Sequence, residues 1–556
     1  MSSTRNPHAC TLAKNILRDF YGDIVATVCD SLLKRGRQNF RELLRASGLS
    51  PEQLREGLLV LVQHNCVSCY KLVEDGFRGA IKVDYVYDVH IDKILQILRK
   101  PWFLLHIRDE MGEIAERVVE GLVETGRLRL DQVISSVAGQ TGESAEAVKD
   151  KTVQALVSLI RAHYVERAPP CDLPLKPEKS HPSAQKKKSA KVAKQEADRE
   201  AGIMSAYGVY QRERFRLPPS LLSLSMDSLF GEDDLLVKED TAKEKAGDKR
   251  KRRRSDNDGG DDAEVVDDAD VLWRVNFEEF NRAFRHQACV DIVENKLNKN
   301  AAFALKCMLE ATRASESTVN EAVSRQVSEA EIGKASEQLA ERMKDTPDDL
   351  REALEQLRED QLEFVTYLGM QAGGEVYVVN MERIIECTQL VEVETAIRDR
   401  FSMKGLRVFR LLLLRKHLEQ KQVSDLAMLD SKEARSLLYQ MLKAGYVHVQ
   451  DIPRGADHAA SRTIYTWRVS LEEARRQFID DLYRGLHNCH CRLMDELRKG
   501  NELLELLELA QGENEVLNIT ESQRKGAMKL SQTVRTLEAQ LLRLDHLTAV
   551  MTDFSQ

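Results

Sequence analysis

Two groups of cysteine and histidine residues have the side chains that bind metal ions. Cys66 and Cys69 form a Cys-x-x-Cys pair, and His487 and Cys491 stand at i and i+4, on one face of a predicted helix. A structural zinc ion needs four such ligands, and the sequence has no second Cys-x-x-Cys pair to complete the set. We therefore predict that these thiols pack against apolar neighbours, and we expect no metal and no cofactor.

Motifs for catalysis are also missing from the sequence. There is no phosphate-binding loop of the Gly-x4-Gly-Lys-Ser/Thr kind, no His-Glu-x-x-His, and no glycine fingerprint for nucleotides after a strand. No run of about 18 apolar residues is present, so a transmembrane helix is not expected. These observations predict a protein without catalytic residues of its own.

Clustered lysines and arginines are the residues that could contact phosphate groups. Lys432, Arg435 and Lys443 fall on one predicted helix, and Arg454 and Arg462 on the strand pair that follows it. The alternative is an ordinary solvated helix. The net charge of −8 argues against a protein held to DNA by its overall field. We therefore favour a protein-docking role with some DNA contact over sequence-specific DNA binding.

A second basic cluster lies in the middle of the chain. Six consecutive residues are basic: Lys249, Arg250, Lys251, Arg252, Arg253 and Arg254. Such a run is typical of a nuclear localisation signal, although it could also be a solvated charge run. It predicts that the protein is nuclear.

The helix that carries Lys432 belongs to a pattern over residues 401–469. Apolar positions predict one helix from Phe401, a short second helix near Val423, and a third helix that begins at a capping box at Asp430. Two alternating stretches then predict a pair of strands. Three helices followed by a strand pair form a winged helix.

The same pattern recurs along the chain. The interval from the helix cap Ser50 to the strand residue Val67 equals the interval from Asp430 to Val447, and the paired strand valine then follows at the same distance in both copies. Four stretches leave a second strand through a polar residue and an acidic helix start: 89–94, 275–280, 379–384 and 469–474. Matching intervals in separate copies predict four repeated modules.

The repeats set the predicted fold class and the domain boundaries. We predict a mainly α chain with small β-wings, in which tandem winged helices precede a C-terminal helical hairpin or coiled coil. Its parts are winged helix one at 1–98, two at 99–281, three at 282–388, four at 389–472, and the coiled-coil hairpin at 473–556. Residues 316–344 are predicted to form one long acidic helix in module three.

The second module carries an insertion within its wing. Val165 is separated from its predicted partner Val275 by a stretch several times longer than the one that separates the paired valines of modules one and four. Prolines and blocks of like charge predict that residues 172–270 are disordered. A patch around Tyr207, Tyr210 and Phe215 inside it is predicted to dock on a partner.

Three stretches carry a resemblance to a known family. Residues 59–68 resemble the first winged helix of the RNA polymerase III peripheral subunit that has four extended winged helices and a C-terminal coiled coil, and residues 416–423 and 457–463 resemble its fourth. The resemblance extends over the whole chain, apart from the inserted segment, and the architecture is similar to that of the large subunit of transcription factor IIE.

The resemblance implies a non-catalytic subunit of DNA-directed RNA polymerase III in the nucleus. Its implied partners are two further polymerase-III-specific subunits, with which it forms a heterotrimer, and the core clamp. Transcription factor IIIB and double-stranded DNA, bound weakly or non-specifically, are further expected partners. The implied role is to help open promoters and start transcription of transfer RNA and 5S ribosomal RNA, and members are also implicated in DNA sensing. The alternative function is a free-standing winged-helix DNA-binding transcription factor.

Overall fold

A computed structural model describes most of the chain. The described residues are 6–75, 81–142, 144–175, 190–219, 221, 271–316, 318–342, 350–371, 374–453, 463–503, 505 and 520–554. These residues divide into two compact units, Ala13–Phe277 in one and Met1–Leu12 with Glu278–Gln556 in the other. The fold class is confirmed, because the chain is mainly helical with small antiparallel sheets. None of the described helices has the length and apolar character needed to cross a membrane.

Module one has the predicted order of helices and strands. Its elements are α1 (Pro7–Tyr21), α2 (Asp23–Arg35), β1 (Gln38–Asn39), α3 (Phe40–Ser47), α4 (Pro51–Gln63), β2 (Val67–Asp75), β3 (Ile81–Val89) and α5 (Ile91–Leu95). The predicted capping box starts α4, because the Ser50 hydroxyl accepts from Gln53 N and Ser50 N donates to the Gln53 side chain, both at 3.2 Å. The sheet order is β1-β3-β2, with Val67 opposite Val89.

Module two repeats this order on both sides of the insertion. Its elements are α6 (Lys100–Met111), α7 (Glu113–Thr125), α8 (Leu130–Thr141), α9 (Ala145–Arg161), β4 (Val165–Arg167), α10 (Ala190–Glu213) and β5 (Trp273–Val275). The pairing of Val165 with Val275 confirms that the wing closes across the insertion.

Part of the insertion is ordered, which corrects the prediction of disorder for its described residues. After α10, the Arg214 and Arg216 carbonyl oxygens each accept a hydrogen bond from Arg167, both at 2.9 Å, and the Phe215 ring stacks on the His163 ring at 4.1 Å. The Tyr210 hydroxyl donates to the Arg167 carbonyl oxygen at 3.5 Å. Tyr210 and Phe215 therefore contact their own module, and docking of the patch on a partner stays a prediction. Composition predicted disorder because the many charged residues outweigh the few side chains that anchor the segment.

A buried carboxylate joins the insertion to the wing. Glu166 is buried, and its carboxylate is 2.6 Å from Nη2 of Arg274 and also pairs with Arg214 from the end of α10. A buried charge is strongly destabilising unless it is paired. Arg214 is therefore part of the second module's structure, although it lies in the inserted segment.

Modules one and two contact each other through the end of α4. The Gln63 side chain donates to the carbonyl oxygens of Thr125 at 3.0 Å and Arg127 at 2.7 Å. The Asn65 side-chain oxygen accepts from Arg127 at 3.0 Å and from Arg274 at 3.3 Å. The end of the third helix of module one is thus occupied by a contact within its own unit.

Module three departs furthest from the pattern. Its elements are α11 (Phe277–Lys296), α12 (Lys299–Arg313), β6 (Val327–Ser328), α13 (Glu329–Arg342), α14 (Leu350–Glu359), β7 (Val365–Gln371) and β8 (Gly374–Val379). The long helix predicted at 316–344 is wrong, since the strand β6 precedes α13. Ser328 stops a single helix from forming there, because its hydroxyl and amide both bond the Glu331 carboxylate in the manner of a helix cap.

Module four and the C-terminal hairpin complete the second unit. Their elements are α15 (Met381–Arg415), β9 (His417–Leu418), α16 (Gln420–Leu426), α17 (Ser431–Lys443), β10 (His448–Pro453), β11 (Thr463–Arg468), α18 (Leu471–Lys499) and α19 (Glu521–Thr552). Helices α18 and α19 run in opposite directions, since Gly485 lies beside Leu544 and Gly500 beside Leu530. The predicted antiparallel hairpin is therefore confirmed.

The end of α19 is shared by the cores of modules three and four. Ala549, Val550 and Phe554 belong to the core of module three, whereas Met551 belongs to that of module four. The buried Gln389 side chain donates to the Val550 carbonyl oxygen at 2.9 Å.

The wings begin with the same backbone conformation in all four modules. Two positions before the first-strand valine, the chain adopts a positive φ, and the next residue is buried. The positive-φ residues are Asn65, His163, Glu363 and Gly445, and the buried residues are Cys66, Tyr164, Phe364 and Tyr446. This shared conformation supports the repeat that the residue spacings predict.

The exits from the second strands differ from the prediction in one respect. Ser470 caps α18 as expected, since its hydroxyl accepts from Glu473 N at 3.4 Å. Asn380 makes no such side-chain bond to the helix that follows it. The side-chain amides of Asn276 and Asn380 donate instead to the carbonyl oxygens of His163 and Glu363, each at 2.8 Å. The amide reaches further than a hydroxyl, so it binds back to the start of the wing.

In the described residues of modules one and four, the remaining positive-φ residues also lie at corresponding positions. These residues follow one another at identical intervals in the two modules, and they are Gly22, Gly36, Gly48 and Asn65 in module one and Ser402, Lys416, Met428 and Gly445 in module four. Module two has the same four sites at Gly112, Gly126, Gly142 and His163. The backbone is therefore repeated more closely than the residue types. At the first three sites module four carries side chains where modules one and two carry glycine, and at the fourth site the reverse holds.

Candidate nucleic-acid interface

Helix α17 is the third helix of module four and carries the predicted phosphate contacts. Asp430 caps it, with its carboxylate accepting from Lys432 N at 3.1 Å. The predicted capping box is only half formed, since the Glu433 carboxylate pairs with Lys404 instead. Four apolar side chains fix the inner face of the helix in the core: Ala434, Leu437, Leu438 and Met441. The opposite face is left to solvent.

The structure brings the predicted cations together on that solvent face. Lys432, Arg435 and Lys443 are all exposed, and their spacing places them along one side of the helix. Tyr439 lies between them, 56 % exposed, with its ring edge-on to Trp467 at 5.5 Å between centroids. Tyr439 is absent from the predicted set, although its spacing at i+4 from Arg435 and i−4 from Lys443 identifies it. The result is a row of cations around one exposed aromatic ring.

Several predicted residues lie outside the described part of the chain. They are Arg454 and Arg462 of the wing and the basic run Lys249, Arg250, Lys251, Arg252, Arg253 and Arg254. The strands on either side of the wing connection are described, and Pro453 pairs with Thr463 at their ends.

The same face of module one has a different chemistry. The residues of α4 that correspond to the cations and the tyrosine of α17 are Glu52, Arg55, Leu59 and Gln63. Leu59 is 71 % exposed, and the Arg55 guanidinium lies 6.0 Å from the Phe40 ring. Gln63 is engaged with module two, as described above. Among these four side chains the one acid and the one arginine cancel, so the face has no net charge to attract phosphate, and its exposed leucine suits protein contact.

The cysteine and histidine groups differ in burial, since Cys66 is buried whereas Cys69, His487 and Cys491 are half-buried. Burial raises the pKa of the Cys66 thiol to about 12 and that of Cys69 to about 11, which disfavours the thiolate that a metal ion needs. His487 and Cys491 do share a face, with Nε2 and Sγ 3.8 Å apart, and burial lowers the pKa of His487. Among the described residues, no three side chains form a group that could hold a metal ion.

Models of known families match three parts of the chain. The match to RNA polymerase III subunit RPC82 covers residues 154–388, that to the RPC82 helix-turn-helix domain covers 11–71, and that to the POLR3C C-terminal winged-helix domain covers 393–469. These three ranges fall on the modules described above.

Relatives that match over most of the chain agree with these families. The chain is 29 % identical to DNA-directed RNA polymerase III subunit RPC3 of Homo sapiens, over 89 % of this chain and 85 % of the relative. It is 24 % identical to the Dictyostelium discoideum subunit, over 96 % and 98 %. The Coccidioides immitis subunit is 22 % identical, over 98 % and 100 %. The chain belongs to the RPC82, or RPC3, family of RNA polymerase III subunits.

Proposed function

We propose that this chain is a non-catalytic peripheral subunit of DNA-directed RNA polymerase III that docks on the core clamp. In this role it assists promoter opening and the initiation of transfer RNA and 5S ribosomal RNA synthesis. Its partners are two other polymerase-III-specific subunits in a heterotrimer, with transcription factor IIIB nearby, and it acts in the nucleus. Family membership over nearly the whole length of its relatives supports this proposal.

The contrast between α17 and α4 carries the mechanism. The same helix face carries three cations and an exposed tyrosine in module four, whereas in module one it has no net charge and an exposed leucine. Lysines and arginines on an exposed helix contact phosphates, which position a duplex without reading its sequence. Module four is therefore the DNA-contacting module, and module one contacts protein. The exposed cations of α17 are sufficient for a weak contact with promoter DNA near the opening bubble.

Purification of the tagged chain tests the assignment to the polymerase. The wild-type chain should co-elute with the other polymerase III subunits through high-salt steps. A free-standing winged-helix transcription factor, which is the second candidate, would elute alone and would prefer particular DNA sequences. Template-directed nucleotide addition by the pure chain would contradict the non-catalytic assignment.

The DNA contact is tested by the salt dependence of binding. Each phosphate neutralised contributes about −0.9 to the slope of log K against log salt, so changing Lys432, Arg435 and Lys443 to Ala should flatten the slope of assembled polymerase by as much as about 2.7. A control variant loses three exposed cations of α19 and leaves the slope unchanged. Those cations are Lys525, Lys529 and Arg535. Equal slopes for all three enzymes, with normal promoter opening, would rule out DNA contact by α17.

A further inference from the structure

Module four exposes a methionine at a backbone position that favours glycine. Met428 lies in the turn between α16 and α17 with φ +53° and is 86 % exposed. The corresponding residue of module one is Gly48, at φ +67°. A positive φ is unfavourable for a long side chain, and exposing an apolar side chain to water brings no compensating burial. Neither the local backbone nor the core of module four therefore explains this residue.

Three more apolar residues of module four are exposed without being required by the fold. Met403 is 61 %, Leu414 78 % and Leu426 50 % exposed. The corresponding residues in module one are small or polar: Asp23, Lys34 and Ala46. Because the two modules share one backbone pattern, the fold does not demand apolar side chains at these sites. We refer to Met403, Leu414, Leu426 and Met428 as the apolar face of module four.

The members of the apolar face lie along α15 and at the end of α16. Met403 and Leu414 both belong to the second half of α15, and their spacing places them on one side of the helix, about three turns apart. Arg407, on the same side between them, donates to the Ala427 carbonyl oxygen at 3.1 Å. This bond holds Ala427, which stands between Leu426 and Met428, beside the helix.

Positive charges surround the apolar face. Lys404, Arg407, Arg410 and Lys416 are exposed around it. Glu433 pairs with Lys404 and Glu394 with Arg410. The other exposed charges of residues 403–430 are Arg407, Arg415, Lys416 and Lys421 against Glu419, Asp425 and Asp430, which leaves a surplus of one positive charge. An apolar surface with a cationic rim is complementary to a segment that combines apolar and acidic side chains. Nucleic acid fits less well, since it would gain nothing from four aliphatic side chains.

We propose that the apolar face of module four docks an acidic, apolar segment of another RNA polymerase III subunit. This inference rests on the function proposed above and adds the surface and the chemistry of the partner. Surfaces rich in methionine adapt to partner side chains because the methionine side chain is flexible and polarisable.

The test replaces three of the four residues of the apolar face with those of module one. The variant Met403→Asp/Leu426→Ala/Met428→Gly uses side chains that the same backbone already carries in module one. Met528→Ala is the control, because Met528 is a comparably exposed methionine, at 64 %, outside the face. Immobilised chains are exposed to RNA polymerase III purified without this subunit, and dissociation constants are measured with and without nuclease.

The outcomes separate the two proposals. Wild type and the Met528 control should bind equally, and the triple variant about tenfold or more weakly, with no loss of thermal stability. Equal binding by all three chains would overturn this inference and leave the proposed function standing. Failure of the wild type to bind would overturn both.

Single charges at position 428 test the chemistry of the partner. Met428→Lys should bind more tightly than Met428→Asp, because an acidic partner attracts the first and repels the second. The reverse order would overturn the assignment of an acidic partner. Loss of wild-type binding on nuclease treatment would show that nucleic acid covers the face instead.

Discussion

The side-chain amide of Asn276 donates to the carbonyl oxygen of His163 at 2.8 Å, across the whole insertion of module two. The backbone amide of Asn276 also donates to Tyr164 at 2.9 Å. These two bonds close the wing independently of what is inserted between its strands. They explain how two strands as short as β4 and β5 hold the ends of so long an insertion together.

Changing Asn276 to Ala should loosen the wing of module two. The His163 carbonyl oxygen loses its donor, which we expect to cost about 1–3 kcal/mol. Amide hydrogen exchange measured by mass spectrometry should speed up in β4 and β5. Asn380→Ala removes the equivalent bond to Glu363 and should affect only β7 and β8. Equal exchange in both wings for both variants would contradict the proposed closure.

Changing Arg214 to Ala should destabilise module two from within the insertion. The buried Glu166 carboxylate would keep only Arg274, and breaking a buried ion pair costs about 3–5 kcal/mol when no partner remains. We expect a loss of about 2 kcal/mol in the free energy of unfolding, measured with urea. Arg212→Ala, an exposed arginine on α10, should have no effect. If the two variants were equally stable, the insertion would be no part of the module.

Gly126→Ala should break the contact between modules one and two. A Cβ at Gly126 would lie 2.2 Å from the Gln63 carbonyl oxygen, so backbone must move. Gly112→Ala is the matched control, since Gly112 has φ +89° against +88° but open space around it. We expect the control to lose about 1 kcal/mol from backbone strain and Gly126→Ala to lose about 3 kcal/mol or more. Equal losses of unfolding free energy for the two variants, measured with urea, would mean that backbone strain alone explains the effect of Gly126→Ala.

Ser402→Gly should stabilise module four. Ser402 has φ +63° and ψ −179°, a conformation that is essentially restricted to glycine, and Gly22 and Gly112 hold it in modules one and two. Relief of strain exceeds the entropy of the more flexible unfolded chain, so we expect a gain of about 1 kcal/mol. Ser436→Gly, inside α17, should instead lose about 0.5 kcal/mol. Thermal unfolding should therefore show a higher melting temperature for Ser402→Gly and a lower one for Ser436→Gly than for the wild type.

Module one should lose stability as the pH falls. Burial lowers the pKa of His90 to about 4, and its Nε2 is 2.8 Å from the Ser68 hydroxyl. Between pH of about 6.5 and 4, the unfolded chain binds a proton at His90 that the folded chain does not, so stability is full above this window and is lost on descending through it. His90→Gln should reduce the loss between pH 7 and 4 by about 2 kcal/mol in urea unfolding. His417→Gln, at an exposed site, should leave the loss unchanged.

Residue spacing was sufficient to predict the repeat and the wing pairs. Val165 could be paired with Val275 because both keep fixed positions relative to the helices beside them. The ordered part of the insertion could not be predicted, because Arg214 and Phe215 are isolated anchors in charged surroundings and their partners Glu166 and His163 are distant in sequence. The backbone at Ser402 and Met428 is equally hidden, since neither residue type indicates a positive φ. Tyr439 was predictable from helical spacing alone.

Because α19 contributes to the cores of modules three and four, neither core can be completed until the end of the chain has been synthesised. Val550 lies far beyond Ile385 in the sequence, although both belong to the core of module three. A ribosome therefore finishes the winged helices of modules three and four long before it supplies the residues that complete their cores. During that interval, apolar surface in both modules remains open to water, to chaperones or to other nascent subunits. A chain interrupted after Asp545 would still contain every wing and yet leave both modules unfinished.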